Sequence, residues 1–356
     1  MKVFGVNYGN RFIPEEWMGV VKERLFKNCT AGAAEPNKST ERLCLADLGA
    51  KFEDRYLQWL EDEIQESDFV KMADAGVNVV RVPCGYWNWI SFPGGSDRER
   101  VLQTIAPARY TKYFDRIFAS ADAHGIKVLL DLHGLPGSQN GEMHSGICKS
   151  RPEFDTEENL QRGVEAVAAM AQYCATKMPA LYGLQIINEP NKYAGSIEPF
   201  LERFYDKAIL AARQYLPKAV PVVVFAWTKD FSFWENKVND PQYGEVVWDT
   251  HIYQLGNDAQ HRSVKEQQHA YWGDLESLKR FHKKKPGGCI VGEWSLAGPS
   301  WGAAENKEMV AWLVWCMMER CHGCVFWNWD APIAEWSFQG AAKEFGIDWA
   351  AIPKPS

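Results

Sequence analysis

Short runs rich in β-branched residues return eight times along the chain, at 3–7, 78–82, 127–132, 181–187, 220–225, 246–251, 289–292 and 324–328. Between them lie longer segments with a 3.6-residue apolar rhythm, at 68–75, 110–124, 157–176, 197–215, 263–284 and 306–321. A helical crossover returns the chain to the same end of the sheet, so consecutive strands pair in parallel. Eight such strands predict a closed (β/α)8 TIM barrel of the α/β class. Gly76 and Gly125 stand where two of the helices should stop, in the place of a left-handed cap. No GxGxxG follows the first run, which disfavours an open dinucleotide-binding sheet. With 356 residues and 46% hydrophobic content, the chain has length for one large barrel or two ordinary domains. No Pro/Gly/Ser-rich linker, repeat or block of like charge divides it, so one domain over 1–356 is expected.

A parallel barrel presents its chemistry at strand C-termini, and polar residues should gather there. The segment LYGLQIINEP, at 181–190, shows the pattern: an apolar run ends in Asn188, Glu189 and Pro190. An unpaired carboxylate out of water costs several kcal/mol. Either Pro190 simply ends the ladder and the polar pair lies in a solvated turn, or the pair lines the barrel mouth. The other strands favour the mouth. Asn7 and Glu15 follow the first run, Arg81 lies on the second, and Asp131 and His133 lie on the third. His251 and Tyr253 mark the sixth, Glu293 the seventh and Trp327 the eighth. A satisfied buried polar group would account for any one of these, but not for agreement among so many strands.

Composition narrows the partners. Lys plus Arg number 39 against 46 Asp plus Glu, a net charge of −7, so nothing draws the chain to nucleic acid or an anionic membrane. No stretch of 18 apolar residues offers a membrane span, and MKVFGVNYGN lacks the apolar region of a signal peptide. A monomer is expected, and the compartment is left open. Sixteen Trp residues are several times the usual share, and many neighbour polar residues at strand ends: Trp87-Asn88-Trp89, Trp227-Thr228, Trp294-Ser295 and Trp327-Asn328-Trp329. Flat aromatic faces at a polar rim suit sugar rings, although core packing explains any single Trp equally well. The nine Cys leave at least one unpaired within the chain. Cys321 and Cys324 have CxxC spacing without a second pair, and a loop disulfide between Cys29 and Cys44 would suit an exported protein. Asn28-Cys29-Thr30 and Asn37-Lys38-Ser39 are sequons in the same stretch.

Glu189 and Glu293 fall on the fourth and seventh strands, on opposite sides of a small barrel. Opposed carboxylates across a sugar-sized cleft are what glycosidic cleavage needs: one protonates the leaving oxygen while the other attacks the anomeric carbon. His133, His251 and Asp131 offer a metal-site alternative, but the histidines stand on separate strands without an HxH pair, so neither metal nor cofactor is expected.

The strings VNVVRVPCGYW, DLHGLPGSQNG, LQIINEPN, DTHIY, VGEWS and VFWNW, in this order from about residue 3 to about 330, resemble glycoside hydrolase family 5. The DLHGLPGSQNG element is similar to the family's fungal exo-β-1,3-glucanase branch. The resemblance implies a retaining β-glycosidase for β-linked glucosides or glucans, with Glu189 as acid/base and Glu293 as nucleophile. It also implies a sugar site lined by Glu15, Arg81, His133, Asn188, His251, Tyr253 and Trp327, and it leans slightly toward a secreted protein. On physical grounds, Arg81 and Tyr253 suit donors to Glu293, and Asn188 a partner for the sugar 2-OH. An acid/base Glu189 should have a raised pKa, from the charge of Glu293 and partial burial. Two departures bear on the leaving group. Glu142-Met143-His144 and Leu255-Gly256 stand where the branch has an aromatic entrance clamp, and Asn10-Arg11 where it has Gly-Trp. Alternatives are a β-glucosidase for a lipid or plant glycoside, and a sugar-binding protein with little turnover.

Overall fold

The computed structural model describes residues 1–18, 51–190, 198–226, 240–256, 258–285 and 288–355. Eight parallel strands close into a barrel in chain order: β1 (Val3–Asn7), β2 (Val79–Gly85), β3 (Lys127–Gly134), β4 (Leu181–Gln185), β5 (Val222–Phe225), β6 (Val246–Ile252), β7 (Cys289–Trp294) and β8 (Gly323–Phe326). β8 pairs with β1 to close the ring. The TIM barrel read from the alternation is therefore present, with shifted edges. β7 runs on to Trp294 and carries Glu293 within the strand, whereas β4 stops at Gln185. Beyond that end, the Ile186 N–H still donates to the Val223 carbonyl at 3.0 Å.

The expected helices occupy Glu66–Asp74, Thr111–Ala123, Glu157–Ala175, Glu198–Arg213, Val264–Lys284 and Ala303–Arg320. Gly76 and Gly125 take φ of 77° and 70°, left-handed geometry that a side chain resists. Lys51–Glu63, Asp97–Leu102 and Phe338–Phe345 are further helices that the apolar rhythm does not reveal. The first buries Phe52, Tyr56, Trp59 and Leu60, whose aromatic bulk is as common in strands. The second is too short for periodicity, yet SDRE at 96–99 is a capping box in which Ser96 and Glu99 satisfy each other's backbone N–H. No described helix is long and apolar enough to cross a membrane.

Two apolar layers hold the barrel. A large cluster fills the space between strands and helices. A second, made of Val3, Val79, Leu129, Val223, Val247, Ile290 and Val325, draws one residue from each of seven strands and so plugs the interior. Strand alternation sets Arg81, Asp131 and Asp249 two residues beyond Val79, Leu129 and Val247, on the same face. A polar layer thus rests on an apolar floor at the C-terminal end of the barrel.

Cys29, Cys44, both sequons and Trp227-Thr228 lie outside the described residues. Cys321 and Cys324 are buried thiols, and the Cys321 Sγ donates to the Met317 carbonyl at 3.0 Å. The Asn10-Arg11 departure has a structural use. The Asn10 Oδ1 accepts from the Glu15 N–H at 2.8 Å. The Arg11 guanidinium lies 4.0 Å over the Tyr8 ring, donates to the Gly9 and Glu63 carbonyls at 2.9 and 3.2 Å, and pairs with Asp330 at 2.6 Å. It joins the loop after β1 to the loop after β8. Because Arg11 is buried, Arg11→Ala should cost about 2–4 kcal/mol of stability. The check is a denaturant titration with an unchanged slope; a loss under about 0.5 kcal/mol would show the loops are held elsewhere.

Candidate active site

Arg81 is fully buried at the centre of the polar layer, and its guanidinium faces six side chains. Nε donates to Gln185 Oε1 at 2.9 Å, and Nη1 donates to Asn7 Oδ1 and Glu293 Oε1 at 2.7 and 2.9 Å. Nη2 donates to Asn188 Oδ1 at 2.7 Å and meets Asp131 Oδ2 at 3.0 Å, with Asp249 at 3.9 Å. Five strands and the loop after β4 converge on this one cation. Asn7 Nδ2 donates in turn to the Gly292 carbonyl at 2.9 Å, which fixes the backbone beside Glu293.

The two glutamates have different partners. Glu293 accepts from Arg81 on one oxygen and from the Tyr253 hydroxyl on the other, at 2.9 Å each. Glu189 follows the end of β4 with φ of 40°, a left-handed conformation uncommon for a residue with a Cβ. Its Oε1 is hydrogen-bonded by His251 Nδ1 and its Oε2 lies 3.2 Å from His144 Nε2. His251 Nδ1 is also 3.4 Å from Glu293 Oε2, so the ring stands between the carboxylates. One ligand atom from each of Glu189, His251 and Glu293 lies within 4.8 Å of the others, the one group among the described residues with the spacing to hold a cation. A metal there would have to displace the donors now in place.

The charges set the protonation pattern. Burial and Arg81 push His133 well below its ordinary pKa. The neutral ring then donates from Nδ1 to Asp131 at 2.6 Å and accepts from Asn188 at Nε2, 3.2 Å away. Burial opposes charge on His251, but Glu293, Asp249 and Glu189 prevail and raise it to about 10. Burial likewise opposes charge on His144, and Glu189, Glu15 and Glu293 raise it to about 9. Burial pushes Glu15 up to about 7, helped by Glu293 and Glu189 and opposed by His144 and the Trp17 indole. Glu189 overturns its expected direction. Burial does favour its neutral form, but His251 and His144 outweigh it and hold the carboxyl well below the usual range.

A family model described as Cellulase (glycosyl hydrolase family 5) matches residues 41–332. The chain belongs to glycoside hydrolase family 5. Among family relatives, glucan 1,3-β-glucosidase 3 of Schizosaccharomyces pombe is 28% identical over 99% of this chain and 75% of its own length. A probable glucan 1,3-β-glucosidase A of Neosartorya fischeri is 30% identical over 83% of this chain and 65% of its own. The chain thus spans about two thirds to three quarters of the length of these relatives. Among solved structures, rutinosidase from Aspergillus niger shares the fold with a TM-score of 0.68 and 19% identity, over 93% of this chain and 90% of that one.

Glu189, Glu293, Arg81, His133, Asn188, His251 and Tyr253 form one connected network. Trp327 joins it by stacking on His133, with centroids 5.8 Å apart at 14°. Glu15 sits close enough to sense both glutamates, and its Oε2 accepts from Trp17 Nε1 at 2.7 Å. The rim reading fails for other tryptophans: Trp87, Trp294 and Trp329 are buried, and Trp89 stacks on Phe114 at 4.5 Å. Gln185, Asp249 and Gln139 have no role in the sequence reading, and His144 enters it only as part of the replaced aromatic clamp. Gln185 and Asp249 carry a signal, since each interrupts an apolar run, Gln185 at the end of LYGLQ and Asp249 after VVW. Gln139, whose Nε2 donates to the His133 and Asn188 carbonyls at 2.7 and 2.9 Å, lies in a loop where polarity is unremarkable.

Removing the central cation leaves Asp131, Asp249 and Glu293 without compensation. Arg81→Met should therefore destabilise the fold by about 3–5 kcal/mol. Chemical denaturation measures this, and a variant of wild-type stability would show that the carboxylates do not need Arg81.

Proposed function

We propose that this chain is a retaining β-glycosidase of β-linked glucosides or glucans, with Glu293 as nucleophile and Glu189 as acid/base. One observation carries the reading: an oxygen of Glu189 and an oxygen of Glu293 lie within 4.8 Å of each other. That separation suits a retaining pair, whose carboxyl groups are about 5–5.5 Å apart, rather than an inverting pair spread to admit water. In the first step Glu293 bonds to the anomeric carbon as the glycosidic bond breaks, and Glu189 gives its proton to the departing oxygen. In the second, Glu189 takes a proton from water, whose oxygen displaces Glu293. Arg81 and Tyr253 keep Glu293 aimed. The Tyr253 hydroxyl stays protonated because burial and the two glutamates raise its pKa, so it remains a donor. Asn188 Nδ2, Trp327 and Glu15 are assigned to the sugar held beside Glu293.

The relatives' names make β-1,3-linked glucose the first substrate to try. A second reading, an aglycone other than glucan, has its own support. Glu142 is exposed and Leu255 is 50% exposed, so neither position supplies a ring to sandwich the leaving-group sugar.

Glu293→Gln should lower turnover by several orders of magnitude with the fold intact, because an amide cannot form the glycosyl ester. Glu189→Ala should slow substrates with poor leaving groups far more than activated aryl glucosides, and azide should rescue the second step. Rates for both variants on both substrate types decide this; equal losses for Glu189→Ala on the two types would remove its role. Glu142→Phe should shift preference toward laminaribiose over cellobiose by up to about tenfold, or 1.4 kcal/mol. A wild type already a hundredfold selective for laminaribiose would mean another residue supplies the clamp.

A further inference from the structure

His144 is placed where the acid/base reading of Glu189 has no use for a spectator. It belongs to the loop after β3, its side chain is 27% exposed, and its Nε2 lies 3.2 Å from Glu189 Oε2. The same Nε2 lies 2.8 Å from Asn140 Nδ2. Asn140 cannot turn its amide around, because its Oδ1 accepts from the Glu142 N–H at 2.9 Å while Nδ2 also donates to the Glu189 carbonyl at 3.1 Å. One nitrogen cannot accept from Asn140 and donate to Glu189 at the same time. The contacts therefore serve two protonation states of one pair. With His144 protonated, Nε2–H points to the Glu189 carboxylate. With His144 neutral, Nε2 accepts from Asn140.

Resting on the acid/base role of Glu189, we propose that His144 is a positioning residue that loads Glu189 with the proton it delivers to the leaving group. The Nε2–H bond of His144 breaks and an O–H bond forms at Glu189 Oε2, so an ion pair becomes a neutral pair with no proton drawn from solvent. Asn140 holds the neutral imidazole that results. Substrate seated over the pair removes water, which disfavours the ion pair and drives the transfer at the moment the acid is needed. His251 keeps its proton more firmly, because Asp249 stays 3.2 Å from its Nε2 and Glu293 3.4 Å from its Nδ1 whatever happens at Glu189. The groups facing His144 are Glu189, Glu15, Glu293 and the neutral His133 ring, 5.9 Å away edge-on.

The test compares phenyl β-glucoside, whose leaving group needs the proton, with 2,4-dinitrophenyl β-glucoside, whose leaving group does not. His144→Ala should lose about ten- to a hundredfold in kcat/KM on the first and less than about threefold on the second. Added imidazole should restore the phenyl glucoside rate, with the rescue fading as pH rises through imidazole's own pKa, a signature that packing loss cannot give. His144→Gln, which fills the site without a transferable proton, should lose as much as His144→Ala on phenyl glucoside. Equal losses on both substrates, no imidazole rescue, or a Gln variant at wild-type rate would each overturn the proposal. Glu189→Ala on the same two substrates separates the readings: if it shows the leaving-group split and His144→Ala does not, only the role of His144 falls.

Discussion

The structure turns on one buried cation. A guanidinium out of water is costly unless every donor is used and its charge is balanced, and both conditions bind distant strands together. Arg81 meets them with Asn7, Asp131, Gln185, Asn188 and Glu293, drawn from β1, β3, β4, the loop beyond it, and β7. None of these contacts is local, since the nearest partner in sequence is 50 residues away at Asp131. The apolar floor of Val79, Leu129 and Val247 supplies burial, and the polar layer above it supplies direction. Barrel closure and site assembly therefore draw on the same contacts.

The same cation sorts the protons. Asp131 lies against Arg81, yet burial together with Asp249 and Glu189 raises it to about 7. Its Oδ2 accepts the Nδ1–H of His133 at 2.6 Å. Asp249 serves the far side, accepting from the Gly292 N–H at 2.7 Å and from Gln185 Nε2 at 2.8 Å while facing His251 Nε2 at 3.2 Å. A carboxylate on β6 thus holds backbone on β7 and a side chain on β4. The Gly at 292 is required here, because an added Cβ would stand 2.2 Å from Asp249 Oδ1.

Much of this was legible in the residues. Polar groups at successive strand ends mark the barrel mouth, and Arg81, Glu189 and Glu293 are among them. What periodicity misses is polarity that serves the layer from inside a strand: Gln185 and Asp249 look like interruptions until their neighbours across the barrel are known. Loop residues are harder. Gln139 and His144 lie among Ser, Asn and Gly, where polar character carries no information. The direction of the Glu189 shift could not be read either, because it depends on His144, eleven residues beyond His133, folding back over the mouth. Burial and the like charge of Glu293 can be expected from the sequence, but not the two imidazoles that outweigh them.

Why the two glutamates differ follows from where β4 ends. Had the strand run on through Glu189, alternation would fix that carboxylate's direction as it fixes those of its strand-borne neighbours. Instead β4 stops at Gln185, whose side chain takes the wall position beside Arg81, and the chain turns at Glu189 with φ of 40°. Glu293 stays within β7 and receives donors that do not titrate near neutrality: a guanidinium, and a phenol whose pKa is raised by burial. Glu189 receives imidazoles on both oxygens, groups that gain and lose protons within the physiological range once their neighbours change. Fixed donors suit a carboxylate that must stay ionised until it attacks. Exchangeable donors suit one that must give up a proton and take it back, so the division of labour proposed for the pair is set by the length of one strand.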